Sequence, residues 1–351
     1  MKEMEEYKIK RPKDIFFIDI DGTTNLEDKQ LNTILHLLKK RGGMVIPVTG
    51  RTVGDIESKF KKQKVVVPEI IVGDNGANIY HTKSEKFLKQ QMLDHEKVME
   101  IAEYFLEQGG NKDFIRYTNG RNIFAPDTEE AREYYKNSNK AIFEKDIIEA
   151  LKEAIDITKI TFAGSEEEMK QMRQIADNLE FWCDKNPSKF PRAKYQNYIL
   201  DMAQKNISKG EAVKTIVSEL KPEHGFMCIG NGYNDISMFK VAIEFGMIAG
   251  VMERSPAGII KEVQQYSQER KRGRVVVIPK DKNLANEYIL KMTNLFETDR
   301  NTEKRELREK MQGQKLSRLP NLPRVEVPGV KEYPYKNISR GTDLQKNHRN
   351  R

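Results

Sequence analysis

The hydrophobic pattern changes period several times along the chain, and the changes divide it into segments. Ile15-Phe16-Phe17-Ile18-Asp19-Ile20 is an apolar run broken by one carboxylate, the pattern of a strand covered on both faces in a parallel sheet. It ends in a turn, Asp21-Gly22-Thr23-Thr24. From Glu27 to Lys40 the residues Leu31, Ile34, Leu35 and Leu38 follow the i, i+3, i+4, i+7 spacing of one helix face, and Gly42-Gly43 stops the helix. Met44-Val45-Ile46-Pro47-Val48 predicts a second strand, residues 53–61 a helix, and Val65-Val66-Val67 with Ile70-Ile71-Val72 further strand. This β-α-β-α-β succession is the signature of an α/β fold with a doubly wound, Rossmann-like parallel sheet.

The pattern changes after Tyr80. Residues 85–204 predict a helix from His95 to Gln108, a hairpin around Asn119-Gly120 and two helical stretches. The strand Ile157 to Ala163, the helix Glu166 to Leu179, and strands near Phe181 and Tyr198 follow. This mixed α/β segment is expected to be a separate domain inserted into the first. The doubly wound pattern resumes at Ser208 with a helix, a strand over residues 226–229, a helix from Asp235, and strands at Met247-Ile248-Ala249 and 274–278. A helix near 285–295 completes it. The expected division is therefore a core of residues 1–84 and 205–299, an insertion of 85–204, and a tail of 300–351.

Composition narrows the function classes. With 351 residues, 38% hydrophobic and 32% charged, the chain suits about two folded domains and excludes collagen-like, wholly disordered and disulfide-scaffold proteins. No uncharged apolar run approaches the roughly 18 residues of a membrane span, and residues 1–14 are charged where a signal segment would be apolar; the cytoplasm is the expected location. Cys183 and Cys228 sit in apolar runs and read as structural thiols, and five scattered histidines give no zinc spacing. Any metal should be bound by oxygen. The net charge of +8 lies wholly in residues 300–351, which hold 14 Lys and Arg against 6 Asp and Glu. That tail has few large apolar residues and is expected to be disordered, with contact to nucleic acid or another polyanion open.

Four segments carry candidate chemistry, each where a strand is expected to end. Asp19 and Asp21 emerge at the carboxyl edge of the sheet, where open α/β sheets bind ligands, and suit a nucleophilic carboxylate with an acid/base carboxylate beside it. Thr49-Gly50-Arg51 follows the second strand with a hydroxyl and backbone N–H groups suited to a phosphate oxygen. Ser208-Lys209-Gly210 opens a helix, placing an ammonium beside the positive helix end. Gly230-Asn231-Gly232-Tyr233-Asn234-Asp235 follows a buried strand and offers Asn231 and Asp235 as oxygen ligands for a hard cation. Each alone is also an ordinary turn or helix cap; four at one sheet edge are not expected by chance.

On these residues the chain resembles the haloacid dehalogenase superfamily of Mg²⁺-dependent phosphohydrolases. Asp19-Ile20-Asp21-Gly22-Thr23 looks like its first motif, Thr49-Gly50-Arg51 its second, Lys209 its third, and Gly230 to Asp235 its fourth. The insertion resembles the α/β cap of the subgroup that holds Cof-type, sucrose-phosphate and mannosyl-3-phosphoglycerate phosphatases, in which a loop like Asp74-Asn75-Gly76-Ala77 precedes the cap. The resemblance implies a phosphatase of a small phosphorylated metabolite, such as a sugar phosphate, with Asp19 forming an aspartyl-phosphate and Asp21 as acid and base. Thr49, Gly50, Arg51, Asn75, Lys209 and Asn234 are the implied substrate contacts. Asp19, the Asp21 carbonyl, Asn231 and Asp235 are the implied surroundings of Mg²⁺. One residue departs from the pattern: Asn231 stands where the family more often has Asp, which removes one negative charge. Arg192, Tyr195 and Asn197 are candidate selectors of the leaving group. Phosphotransfer to another alcohol, hydrolysis of a nucleic-acid end phosphate anchored by the tail, and a non-catalytic phosphometabolite-binding module are the other readings.

Overall fold

The computed structural model describes residue 7, residues 9–23, 29–183, 188–189 and 198–281, and parts of 284–292. Its center is a parallel sheet in the order β15-β14-β13-β1-β2, built from β1 (Asp14–Ile18), β2 (Met44–Pro47), β13 (Gly225–Gly230), β14 (Ile248–Met252) and β15 (Arg274–Ile278). β3 (Ile70–Gly73) continues it through a parallel bridge between Val48 and Val72. β3 then pairs antiparallel with β4 (Asn78–His81), and β4 with β5 (Lys86–Gln90).

The central strands are apolar on both sides because helices cover both faces. On one face Ile15, Phe17, Cys228 and Val251 pack with Val213, Phe239, Ile259 and Val263, which lie on α7 (Lys209–Leu220), α8 (Ile236–Glu244) and α9 (Ala257–Arg270). On the other, Ile71 and Tyr80 meet Leu35 of α1 (Lys29–Lys40) and Val53, Ile56 and Phe60 of α2 (Val53–Lys62). This is the expected α/β architecture.

The inserted module has its own sheet, ordered β10-β12-β9-β6-β7-β8, with β8 at Ala141–Glu144 and β11 (Ser188–Lys189) on β12. β6 (Ile115–Thr118) and β7 (Ile123–Pro126) form the expected hairpin; β9 (Lys159–Gly164), β10 (Phe181–Cys183) and β12 (Tyr198–Gln204) are also present. Alternation gives this sheet two unlike faces. Ile115, Tyr117, Ile160, Phe162, Leu200 and Met202 face a second apolar core with α3 (His95–Glu107), α5 (Ile147–Glu153) and α6 (Glu166–Asn178). The intervening residues are polar: Arg116 is paired with Thr161, Thr118 with Lys159, and Asp201 with Thr161.

Several expectations need correction. Val65-Val66-Val67 is not a strand: it runs into Pro68, which has no N–H to donate to a ladder, and strand begins at Ile70. β4, β5, β8 (Ala141–Glu144) and α9 were not expected from the pattern; α9 carries only Ile259, Val263 and Ser267 as buried residues on an otherwise polar sequence. Cys228 is buried, whereas Cys183 is only half-buried. Among the described residues no helix is long and apolar enough to cross a membrane. The tail 300–351 and the cap candidates Arg192, Tyr195 and Asn197 lie outside the described residues.

Candidate active site

The sheet brings the four sequence segments to one edge. Asp19 follows β1 directly, its N–H donating to the Ile229 carbonyl (2.8 Å), while the Thr49 N–H donates to the Val72 carbonyl (3.0 Å) one strand further along. Ser208 caps α7 by accepting from the Glu211 N–H (3.2 Å), which sets Lys209 in the first helical turn with its side chain aimed at the sheet. Lys209 Nζ donates to Asp19 Oδ1 and to Asp235 Oδ1, both at 2.6 Å, with all three side chains buried. A buried ammonium is tolerable only because two carboxylates meet it. Burial lowers the affinity of Lys209 for its proton, but Asp19 and Asp235 outweigh burial and raise it.

Asp19 is engaged at both oxygens, since the Thr23 hydroxyl donates to Oδ2 at 3.0 Å. Burial and the nearby Asp235 charge push its carboxyl up to about 7, against the opposing pull of Lys209 and the Thr23 hydrogen bond. Asp21 lies at the exposed rim in a two-pronged pair with Arg51: Nε donates to Oδ2 (2.6 Å) and Nη2 to Oδ1 (2.8 Å). The crowded rim would raise the Asp21 carboxyl, but the hydrogen bonds and charge of Arg51 hold it below the usual carboxylate range. Arg51 Nη1 also donates to the buried Asp55 (3.0 Å), so the guanidinium is fixed on three sides.

The fourth segment folds back on itself. Asp235 Oδ2 accepts from the N–H groups of Asn231 and Gly232, both at 2.8 Å. Asp235 is thereby committed to Lys209 and to its own loop. The Asn231 side chain instead reaches the first loop, where its terminal amide lies 2.9 Å from the Asp21 carbonyl and 3.1 Å from Asp19 Oδ2. Asn234 Nδ2 donates to Asn75 Oδ1 (2.9 Å), and Asn75 N–H donates to the Thr49 carbonyl (3.0 Å), so those two asparagines brace the Thr49 loop from behind.

A model of the haloacid dehalogenase-like hydrolase family matches residues 16–262. The chain belongs to that family. Among solved structures, the fold of this hydrolase is similar to that of the HAD subclass IIB sugar phosphatase BT4131, at 18% identity over 80% of this chain and 99% of the other, with a TM-score of 0.59. TM0651 from Thermotoga maritima is similar at 19% identity over 81% and 97% of the two chains, TM-score 0.59. BT1666 from Bacteroides thetaiotaomicron follows at 15% over 81% and 96%, TM-score 0.59. At these identities the likeness establishes the fold. No curated protein matches the sequence.

Beside the motif residues, the hydrolase has contacts that the sequence did not single out. Asp74, fully buried, accepts at Oδ2 from Thr118 (3.0 Å), Thr158 (2.8 Å) and Asn78 (2.8 Å), and burial raises its carboxyl. Lys159 of the inserted sheet donates to the Gly50 carbonyl (2.8 Å) and to Asp201 (3.2 Å). The polar face of that sheet therefore lies directly against the Thr49-Gly50-Arg51 loop. Arg254 donates to the Thr23 carbonyl (2.8 Å). A charged residue opening an apolar strand, as Lys159 does, and Asp55 four residues after Arg51 were the available signals. Arg254 has no local signature.

The oxygens at this edge suit a hard cation by type. Among the described residues no cluster of three His, Cys, Asp or Glu side chains is placed to hold a metal. What meets instead is one carboxylate (Asp19), one backbone carbonyl (Asp21) and the Asn231 amide, whose nitrogen donates to both; with that amide turned oxygen-inward the three would form an all-oxygen set of the kind Mg²⁺ accepts, with water for its remaining positions.

Proposed function

We propose that this hydrolase is a Mg²⁺-dependent phosphatase that cleaves a small phosphorylated metabolite, a sugar phosphate or similar polyhydroxylated ester, through an aspartyl-phosphate on Asp19. The observation that carries this reading is the clamp on Asp19. A carboxylate held at both oxygens by Lys209 and Thr23, at the carboxyl edge of the sheet, cannot swing away. Such immobilisation converts attack on a bound ester into a near-unimolecular step.

In the proposed reaction an Asp19 oxygen forms a bond to phosphorus as the bond to the leaving alcohol breaks. Opening of the Arg51 pair would free the Asp21 carboxyl to take up a proton; Asp21 then gives it to the departing oxygen and regains one from the water that hydrolyses the acyl phosphate, releasing inorganic phosphate and restoring Asp19. Lys209 and the Thr49 hydroxyl hold the transferring group, with Arg51 in reach of the same oxygens. The held cation would rest on Asp19, the Asp21 carbonyl and Asn231, supplying positive charge that favours ionised Asp19 and offsets its repulsion of the phosphate. Asp235 contributes by fixing Lys209 and the loop. Beside this site the inserted sheet carries Lys159, Asp201 and Thr161, joined by hydrogen bonds, a polar face that suits a polyhydroxylated leaving group better than an apolar one.

The test is a panel of phosphorylated sugars and related metabolites assayed for phosphate release with Mg²⁺ and with EDTA, combined with borohydride or hydroxylamine capture of an acyl phosphate. Mg²⁺-dependent release with label on Asp19 is the expected result. Release from any ester with no label at Asp19 would overturn the mechanism, and binding of esters without turnover would favour the non-catalytic reading.

A further inference from the structure

Asn231 places one terminal atom of its amide among three oxygens: the Asp21 carbonyl at 2.9 Å, Asp19 Oδ2 at 3.1 Å and the Thr23 hydroxyl at 2.7 Å. The chemistry of this cluster depends on which atom that is. With nitrogen inward, its N–H groups donate to the acceptors around it and the cluster is satisfied with no ion present. With oxygen inward, the Thr23 hydroxyl can donate to it (2.7 Å), but it faces the Asp19 and Asp21 oxygens with no proton between them. Two of the separations match the roughly 2.9 Å between neighbouring oxygens of an octahedral Mg²⁺ with bonds of about 2.0–2.1 Å. The same side-chain position therefore serves both a hydrogen-bonded cluster and a cation-centered one.

We propose that Asn231 turns its amide with the state of the site, nitrogen inward when no cation is held and oxygen inward when one is. In the cation-free protein the amide then donates to Asp19 and the Asp21 carbonyl, the groups that would hold a cation. The turn needs no backbone movement, because the Asn231 and Gly232 N–H groups stay on Asp235 Oδ2 throughout. Gly22 leaves it room. A Cβ there would come 2.6 Å from the Asn231 amide, and its φ of +75° also disfavours any larger residue. A carboxylate at position 231 has no equivalent alternative, since both of its terminal atoms are acceptors. It would bind a cation more tightly and leave the protein worse off without one.

The cation half of this proposal rests on the Mg²⁺ reading above, and the donor half does not, so the experiment separates them. Thermal unfolding of the full chain is followed in EDTA and in excess MgCl₂ for the wild type, Asn231→Asp and Asn231→Ala, with the Asn231 side-chain amide observed by ¹⁵N-correlated NMR. In EDTA, Asn231→Asp should unfold roughly 5 °C or more below the wild type, the loss expected for a bridging donor replaced by a third acceptor in a domain of this size. Asn231→Ala should fall less. Mg²⁺ should raise the unfolding temperature of Asn231→Asp by more than that of the wild type, and should move the Asn231 amide resonances. Equal stability of the wild type and Asn231→Asp in EDTA would overturn the donor role. If the order in EDTA holds but Mg²⁺ leaves the resonances in place, the turning is refuted. Failure of Mg²⁺ to stabilise even Asn231→Asp would instead refute a cation at this position.

Discussion

Replacing Lys209 with methionine removes the ammonium while keeping most of the side-chain volume, and the structure sets the expected cost. Nζ lies 2.6 Å from both Asp19 and Asp235 in a buried cluster, and removing one member of a buried ionic group typically costs about 3–5 kcal/mol because the partners are left uncompensated. The loss should depend on pH. In the wild type without Mg²⁺, Asp19 is raised from 3.8 to about 7. Below pH 4 both native and unfolded chains hold this proton, and as pH rises the unfolded chain ionises first. The native state thus loses stability relative to its acid side as pH rises from about 4 to 7. With Lys209 gone, Asp19 should keep its proton to still higher pH, so Lys209→Met should fall further behind the wild type as pH rises. Urea unfolding in EDTA at pH 5 and pH 8 measures this directly. A variant within about 1 kcal/mol of the wild type at pH 8, or a gap that narrows with rising pH, would refute the view of Lys209 as the counter-ion of this cluster.

Asp19→Asn should abolish turnover and leave the far-ultraviolet circular dichroism spectrum unchanged, whereas Asp21→Asn should slow turnover roughly 10²–10⁴-fold, less for esters with good leaving groups. Gly54→Ala should weaken the seat of the inserted module, since a Cβ at Gly54 would overlap the Arg121 carbonyl; a stability loss of about 1–3 kcal/mol with a raised KM is expected, and wild-type values for both would count against it. Truncation after Asp299 should leave hydrolysis of a small ester within a few-fold of the full-length rate, because residues 300–351 carry charge but no motif residue. If the tail binds polyanions, only the full chain should do so, with an affinity that falls steeply with salt.

Much of the site was legible because its residues are local to strand ends. Asp19, Thr49 and Gly230 each follow a continuous apolar run, and a parallel sheet carries all such ends to one edge. The asparagine at 231 could be seen as a departure, but not that its amide turns toward the first loop while Asp235 is spent on Lys209 and two backbone N–H groups. That division depends on loop conformation, which residue spacing does not specify. Lys159, and the role of Asp74 within a loop that the sequence did mark, were illegible for another reason. Each draws its meaning from partners far along the chain, Thr118 and Thr158 for the one and Gly50 for the other. The strand at residues 65–67 failed where β-branched composition was read without the proline that follows it.

The hairpin between β6 and β7 touches the core at two levels: by backbone, where the Val53 N–H donates to the Gly120 carbonyl at 2.9 Å and Gly54 packs against the Arg121 carbonyl, and by the Arg121 side chain, which donates to Glu57 at 2.9 Å and lies over the Tyr80 ring. These contacts fix the tip through Gly120, Gly54 and Arg121, whereas other polar positions such as Thr161 sit elsewhere on the same sheet. A lineage could therefore exchange residues elsewhere on that polar face while the attachment point stayed constant. For an engineer, the same division suggests a library on the polar face of the inserted sheet that starts at position 161 and leaves Lys159, Asp201, residues 118–122 and Gly54 untouched, as a route to new substrates that keeps the inserted module seated.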